Sequence, residues 1–296
     1  MKRVLCASLA VVLLATAFVN CKKDGVYAPK KKISKVINAH NGTKVLRQSW
    51  VWDGDLLSKI EYYGLDSSVS SKTFYFYDKK RLTRIEGTDL SYSVEVTYNG
   101  SAYEKLDFFN RKGEKTRTYE FSYDKKKVSK IVDTRYAVAI PMPKSMENEV
   151  LSIFIPKIIL EEADRQAESS SPKLKSAENV VVVHTMKYKG DNLSEWEILG
   201  SNKSKVTFTY ESYDENVNPF YTSSPAIVPP SETSSAFYKN NPTKIVRLQV
   251  DSSANLVSSL TMTFSYLYDK KFPTEVILTY IMGEHANSDT TYYEYK

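Results

Sequence analysis

The chain of 296 residues carries a formal net charge of +6, two cysteines and three histidines. A charge that mild, spread along the chain in short lysine runs, argues against a nucleic-acid binder, which needs basic residues on one face beside stacking aromatics. Ten glycines and no G-x-S-x-G, G-x-G-x-x-G or P-loop pattern leave no catalytic or nucleotide-binding signature.

Lys2 and Arg3 precede Val4 to Val19, a run whose only polar members are Ser8 and Thr16. So short a core with a basic flank reads as an export signal rather than a spanning helix, which needs about 20 apolar residues. The run ends Ala17-Phe18-Val19-Asn20-Cys21 and turns polar at Lys22-Lys23-Asp24. A cysteine at the cleavage point of a bacterial signal is where diacylglycerol joins the thiol, each buried CH₂ contributing about 0.8 kcal/mol. Residues 1–20 are therefore expected as a signal peptide and 21–32 as a tether lipidated on Cys21. Residues 33–296 are expected as one β-repeat domain held to the outer membrane, on its periplasmic face or the cell surface. Phe18-Val19-Asn20 is looser than the small-residue lipobox of well-studied species, and the competing reading is an ordinary secretory signal. Cysteine usage favours the anchor: Cys6 leaves with the signal, so Cys21 has no intramolecular disulfide partner.

Beyond the tether the chain repeats itself. Tyr75-Phe76-Tyr77-Asp78-Lys79-Lys80-Arg81-Leu82-Thr83-Arg84-Ile85 matches Phe121-Ser122-Tyr123-Asp124-Lys125-Lys126-Lys127-Val128-Ser129-Lys130-Ile131. One interval from turn residue to apolar residue recurs: Asp53 to Ile60, Asp78 to Ile85, Asn99 to Leu106, Asp124 to Ile131, Lys189 to Trp196 and Asp269 to Val276. The unit reads as a β-hairpin. An incoming strand ends on an aromatic, Asp or Asn opens the turn by bonding its own backbone, and an apolar residue starts the outgoing strand. Alternation gives each strand one apolar and one polar face. Ser58, Ile60 and Tyr62 oppose Leu57, Lys59 and Glu61, and Thr83 and Ile85 oppose Leu82 and Arg84. Ile33-Ser34-Lys35-Val36 is the second half of a unit whose first half is missing. Tyr213-Asp214 begins a unit that Pro242-Thr243-Lys244-Ile245 ends, with a Ser/Pro-rich insertion, roughly Tyr221 to Asn241, between them. Eight units predict about sixteen strands, and closure into a barrel removes their edges.

Residues 145–167 break the pattern. Val150, Leu151, Phe154, Ile158, Ile159 and Ala163 recur near helical spacing, with Pro156 inside the run. So apolar a helix must be covered. A structural plug is the preferred reading, and a lid over a ligand cavity the competitor.

The chemistry-bearing residues give little. His40, His184 and His285 form no ligand pair, so no metal or cofactor is expected. Asp53, Asp78, Asp124, Asp214 and Asp269 sit at turn openings and read as caps rather than calcium ligands. Lysine runs such as Lys79-Lys80-Arg81 and Lys125-Lys126-Lys127 read as solvated turns. Trp50, Trp52 and Trp196 are candidates for stacking on a sugar ring, against a reading as core residues in repeat register.

The Tyr-Asp units with Leu-Thr-Arg-Ile resemble the YD repeat of large bacterial surface and toxin-shell proteins. Together with Cys21-Lys22-Lys23-Asp24, Tyr213-Asp214-Glu215-Asn216-Val217-Asn218-Pro219-Phe220 and Lys239-Asn240-Asn241-Pro242-Thr243-Lys244-Ile245, they are similar to a family of uncharacterised Gram-negative gut-bacterial lipoproteins. That family's domain is described as having a porin-like fold. The resemblance implies a barrel-like meander and no activity.

The expectation is an all-β chain: an antiparallel up-and-down meander of repeated hairpins closing into a barrel-like, porin-like sheet, with one inserted helical segment around 145–167. The expected role is a non-enzymatic cell-envelope binding module for a glycan, lipid or protein partner, with membrane attachment through Cys21 and no nucleic acid. The alternatives are a structural envelope component without a small ligand, or a transmembrane channel. Apolar faces interrupted by Ser, Thr and Glu104, and a charged end after Tyr292-Tyr293-Glu294-Tyr295, weigh against the channel.

Overall fold

The computed structural model describes residues 29, 31–40, 42–88, 92–137, 157–170, 179–221 and 237–296. Cys21, the signal segment, Pro156 and most of the Ser/Pro insertion lie outside these. The first half of the chain forms β1 (Ile33–His40), β2 (Thr43–Asp53), β3 (Leu56–Tyr63), β4 (Val69–Asp78), β5 (Arg81–Gly87), β6 (Tyr92–Asn99), β7 (Ala102–Asn110), β8 (Lys115–Asp124) and β9 (Lys127–Arg135). One helix follows, α1 (Lys157–Ser170), then β10 (Val180–Lys189), β11 (Asn192–Leu199) and β12 (Lys205–Val217). The last strands are β13 (Asn240–Val250), β14 (Leu256–Asp269), β15 (Phe272–Met282) and β16 (His285–Tyr295). Every strand pairs antiparallel with its sequence neighbour, and β1 pairs with β16, so the sixteen strands form a closed barrel.

The repeat interval marks the inward face. Ile60, Ile85, Leu106, Ile131 and Trp196 are fully buried, and Val276 nearly so. The simple alternation expected beside the turns is corrected by a bulge. Leu57, Leu82, Tyr103 and Val128 are also buried, although each lies an odd number of residues from its inward partner. The register shifts at Val51/Trp52, Phe76/Tyr77, Thr97/Tyr98 and Ser122/Tyr123 insert the extra residue that lets both face in. The displaced hydroxyl then bonds the carbonyl exposed by the bulge. Ser58 donates to Val51 O, Thr83 to Phe76 O, Ser129 to Ser122 O and Thr274 to Leu267 O.

A second bond ties each hairpin to the one before it. An aromatic near the end of an incoming strand donates to the carbonyl at the start of the preceding outgoing strand. Tyr77 reaches Leu57 O, Tyr98 Leu82 O, Tyr123 Tyr103 O, Tyr188 Val128 O and Tyr213 Leu193 O. Tyr266 reaches Pro242 O, Tyr295 Pro273 O and the Trp52 indole Ile33 O. All eight distances fall between 2.6 and 2.9 Å. The unit that began at Ile33 without a first half finds it at the other end of the chain. Ser34 donates to Glu294 O, as its counterparts do within their own units, and Lys296 N donates to Lys32 O.

The repeat turns are backbone-driven rather than built on Asp side chains. Lys79 and Lys80 (φ 46° and 74°), and Lys125 and Lys126 (φ 46° and 71°), are left-handed, the paired conformation of the type I′ hairpin turn. A residue with a Cβ adopts it at about 1 kcal/mol. Asx caps lie instead mainly on the opposite rim, where Asp66, Asn110, Asn202 and Asp251 accept backbone N–H bonds two residues on. There Ser67, Gly113, Lys203 and Ala254 take the left-handed position. Asp214 and Asn218 are exceptions on the repeat-turn rim: Asn218 caps Phe220 N, and Asp214 caps Asn216 N and also holds Asn241 and Tyr268.

The outward face carries charged pairs around much of the circumference, interspersed with exposed apolar side chains such as Val51, Phe76 and Leu267. Glu61 pairs with Lys59 and Lys72, Asp107 with Lys105 and Lys115, Glu195 with Lys187, Glu197 with Lys205, and Glu211 with Lys244. The apolar face therefore points inward. A sixteen-strand barrel of round section would leave a channel, but two inserts occupy this one. α1 packs against β10 and β11 from the rim opposite the repeat turns. From the repeat-turn rim, Phe220, Phe237 and Tyr238 of the β12–β13 connection are buried.

Candidate functional site

The described helix, Lys157–Ser170, begins later than the 145–167 span expected from the sequence, and residues 145–156 lie outside the described set. Ile159 and Ala163 are fully buried, as their spacing predicts. Glu162, Asp164 and Gln166 are buried as well, and around them lies a cluster that the sequence reading did not identify.

β8 and β9 supply its centre. With Ile131 inward, alternation carries Asp133 and Arg135 to the same side, and Arg117 joins them from β8. Arg117 binds Asp133 through both arms, Nε to Oδ1 and Nη2 to Oδ2, each at 2.7 Å. This is the fork geometry that suits guanidinium to carboxylate. Arg135 donates to Asp133 Oδ2 at 3.0 Å and lies 2.8 Å from Asp164 of α1. Arg247 of β13 holds Glu162 Oε2 through Nε and Nη2. Gln166 donates to Glu162, and Ser204 of the β11–β12 loop bonds Gln166. α1 is thus clamped by arginines from three strands.

The electrostatics follow from this pairing. Burial works to raise the pKa of Asp133, but the charges of Arg117 and Arg135 outweigh it and hold the carboxyl far below the usual range. Glu162 is lowered too, with Arg165 and Arg247 overcoming burial. Buried carboxylates this well matched stay ionised. They act as structural counter-charges, not as general acids at neutral pH.

His184 of β10 is fully buried beside the cluster. Trp196 Nε1 donates to its Nδ1 at 3.2 Å, which leaves the proton on Nε2. Burial, with Arg117 and Arg135 and against the pull of Asp133, lowers its pKa to about 4. Its Nε2 and the Tyr119 hydroxyl are buried with no hydrogen-bond partner among the described residues. Trp196 meets Phe237 of the insertion edge-on at 5.4 Å. A run of ring contacts therefore leads from Phe237 through Trp196 to His184.

The sequence-derived candidates fall as follows. Trp50 and Trp196 are buried in the barrel, 2% and 0% exposed, and a buried ring offers no face to a sugar. Trp52 is half-buried, with its indole spent on Ile33 O. Cys21 lies outside the described residues. His285 is exposed on β16, His40 ends β1, and His184 stands apart from both. Among the described residues no group of three or more His, Cys, Asp or Glu could hold a metal ion. Sequence reasoning missed Arg117, Asp133, Arg135, Glu162, Asp164 and Arg247. A charge at an inward phase on a strand was the available signal.

Fold and interior together define a class: an all-antiparallel, sixteen-strand closed barrel with its own chain inside it. No protein-family model matches the sequence, and no curated protein does. Among solved structures, the chain is similar to a porin-like protein from Bacteroides uniformis, with TM-score 0.51 and 14% identity over 92% of this chain and 100% of that one. A porin-like protein from Bacteroides vulgatus aligns over 90% of this chain and 99% of its own at 9% identity, but its TM-score of 0.31 adds no argument. The likeness to the first shows the barrel fold and nothing of what the barrel does.

Proposed function

We infer that this chain is an exported cell-envelope lipoprotein, tethered through Cys21, whose barrel is a non-conducting, non-enzymatic binding module for a glycan, lipid or protein partner. One observation carries the reading: the wall is turned the wrong way for a pore. Ion pairs such as Lys59–Glu61–Lys72 and Lys105–Asp107–Lys115 stand on the outside, while Ile60, Leu106, Phe108 and Trp196 stand inside. Each Lys or Arg facing lipid at the bilayer midplane costs about 2–4 kcal/mol. The buried pairs on α1 support a plug rather than a lid, because opening would separate three sets of buried charges. With the interior occupied by the chain's own residues, a partner is met on the outer wall or the rims.

The test uses a chain beginning at Lys22, since all sixteen strands lie within residues 33–296. It is expected to stay soluble without detergent and to give no single-channel steps in planar bilayers. Discrete conductance from the purified barrel would overturn the reading. The second reading, a structural envelope component, is favoured by the same filled interior. A screen of glycans, lipids and envelope proteins that returns no ligand would move the conclusion to it.

A further inference from the structure

The repeat-turn rim gathers exposed lysine pairs, each beside one aspartate, Asp78, Asp124 or Asp269. At the repeat-turn rim three turns carry consecutive exposed lysines: Lys79-Lys80, Lys125-Lys126 and Lys270-Lys271. None of the six forms an ion pair among the described residues. Their neighbours Lys31, Lys32 and Lys127 are committed to Asp269, Asp55 and Asp191. Five of the six stand at left-handed φ, between 46° and 74°. Gly54, Gly100 and Gly190 take left-handed φ in the other repeat turns, at 52°, 62° and 60°. Asn and Gly would form these turns with less strain, so the lysines hold positions that local conformation disfavours. The opposite rim is built differently, on loops capped by Asp66, Asn110, Asn202 and Asp251.

The repeat-turn rim is also where the chain enters the barrel. Lys32 Nζ donates to Gly54 O in the β2–β3 turn, and Lys31 reaches Asp269 beside the β14–β15 turn. Any tether running back from Ile33 leaves from this rim. We propose that the lysine rim docks on an anionic lipid bilayer, with Lys79, Lys80, Lys125, Lys126, Lys270 and Lys271 meeting its phosphate headgroups. A polybasic surface beside a lipid anchor adds electrostatic attraction to anionic headgroups and fixes which face of the barrel meets the bilayer. The proposal leans on the Cys21 anchor only for why this rim meets a membrane, and its test leaves the anchor out.

The chain beginning at Lys22 is sedimented with vesicles of phosphatidylglycerol and phosphatidylcholine in equal parts, and with pure phosphatidylcholine, at low salt. Binding to the anionic vesicles is expected to be at least about ten-fold stronger, and to fall as salt screens it. The variant Lys79→Asn, Lys80→Gly, Lys125→Asn, Lys126→Gly installs the preferred turn residues, so it is expected to melt no lower than the parent. Its vesicle binding is expected to drop about ten-fold. Lys270→Gln with Lys271→Gln gives a second, smaller drop. Equal binding to both vesicle types, unchanged binding by the turn variant, or an equal loss from Lys112→Gln with Lys203→Gln on the opposite rim would overturn the proposal. Absence of an acyl mass on Cys21 in exported protein would overturn the anchor instead, leaving the vesicle result to stand by itself.

Discussion

Replacing Asp133 with Asn is expected to cost about 3 kcal/mol of folding stability. The carboxylate is fully buried and takes both arms of Arg117, itself 1% exposed, at 2.7 Å. Asn keeps the shape but removes the charge. The nearest remaining counter-charge to Arg117 is Asp164, at 3.7 Å. Breaking one side of a buried pair costs about 3–5 kcal/mol, and Asp164 places this case at the low end. In a domain this large each kcal/mol moves the midpoint by about 2–4 °C, so the variant is expected to melt about 6–12 °C lower. Urea unfolding followed by the fluorescence of the buried Trp50 and Trp196 reads the same loss. The double variant Arg117→Leu with Asp133→Leu removes both charges and is expected to recover most of it. Acid is a second handle. The Asp133 carboxyl is depressed in the folded state, so its contribution is complete above the ordinary carboxylate pKa of about 4 and is lost as pH falls below that. Asp133→Asn should therefore flatten the acid limb of stability. A single variant within about 1 kcal/mol of the parent, or a double variant no better than the single, would refute the view that the pair is held by mutual need.

His184 contributes stability at higher pH. Its folded pKa of about 4 lies below the ordinary value of about 6.5, so its contribution is complete above about 6.5 and is lost as pH falls towards 4. His184→Gln is expected to remove that slope, read from urea midpoints across the range. Tyr123→Phe loses the bond to Tyr103 O and is expected to cost about 1 kcal/mol. Tyr213→Phe, four strands further round the barrel, should add to it independently in thermal melts. Ala254 sits at φ 65° in the β13–β14 loop, and Ala254→Gly is expected to stabilise by about 0.5–1 kcal/mol in the same assay.

The barrel was legible because its information is local. The interval of seven residues falls on Ile60, Ile85 and Ile131, and each of those side chains is buried. The bulge was missed because alternation assumes one residue per step; its mark was the Ser or Thr that recurs at the bulged position, as at Ser58, Thr83, Ser129 and Thr274. The turn chemistry was read correctly as a turn and wrongly as Asp-capped, since Asp78 and Asp124 suit either mechanism. The cluster under α1 went unseen for a different reason. Asp133 and Glu162 are ordinary surface residues by type. Alternation from Ile131 marks Asp133 as inward, but the Arg135–Asp164 contact with α1 and the partner of Glu162 come from residues far apart in sequence. Glu162 and Arg247 are 85 residues apart. Trp196 was placed in repeat register from sequence, and its burial follows from that register.

The unit shared between β1 and β16 sets the order of assembly. Its Ser34–Glu294 bond joins residues 260 apart, and bringing such ends together costs roughly 5 kcal/mol of chain entropy beyond a constant. The other hairpins join neighbours in sequence and can form as the chain emerges. For a polypeptide threaded N-terminus first across a membrane, the ring stays open at β1 until the last strand has passed. Completion of folding is thereby coupled to completion of translocation. Until then β1 carries an unpaired edge, open to pairing with another chain.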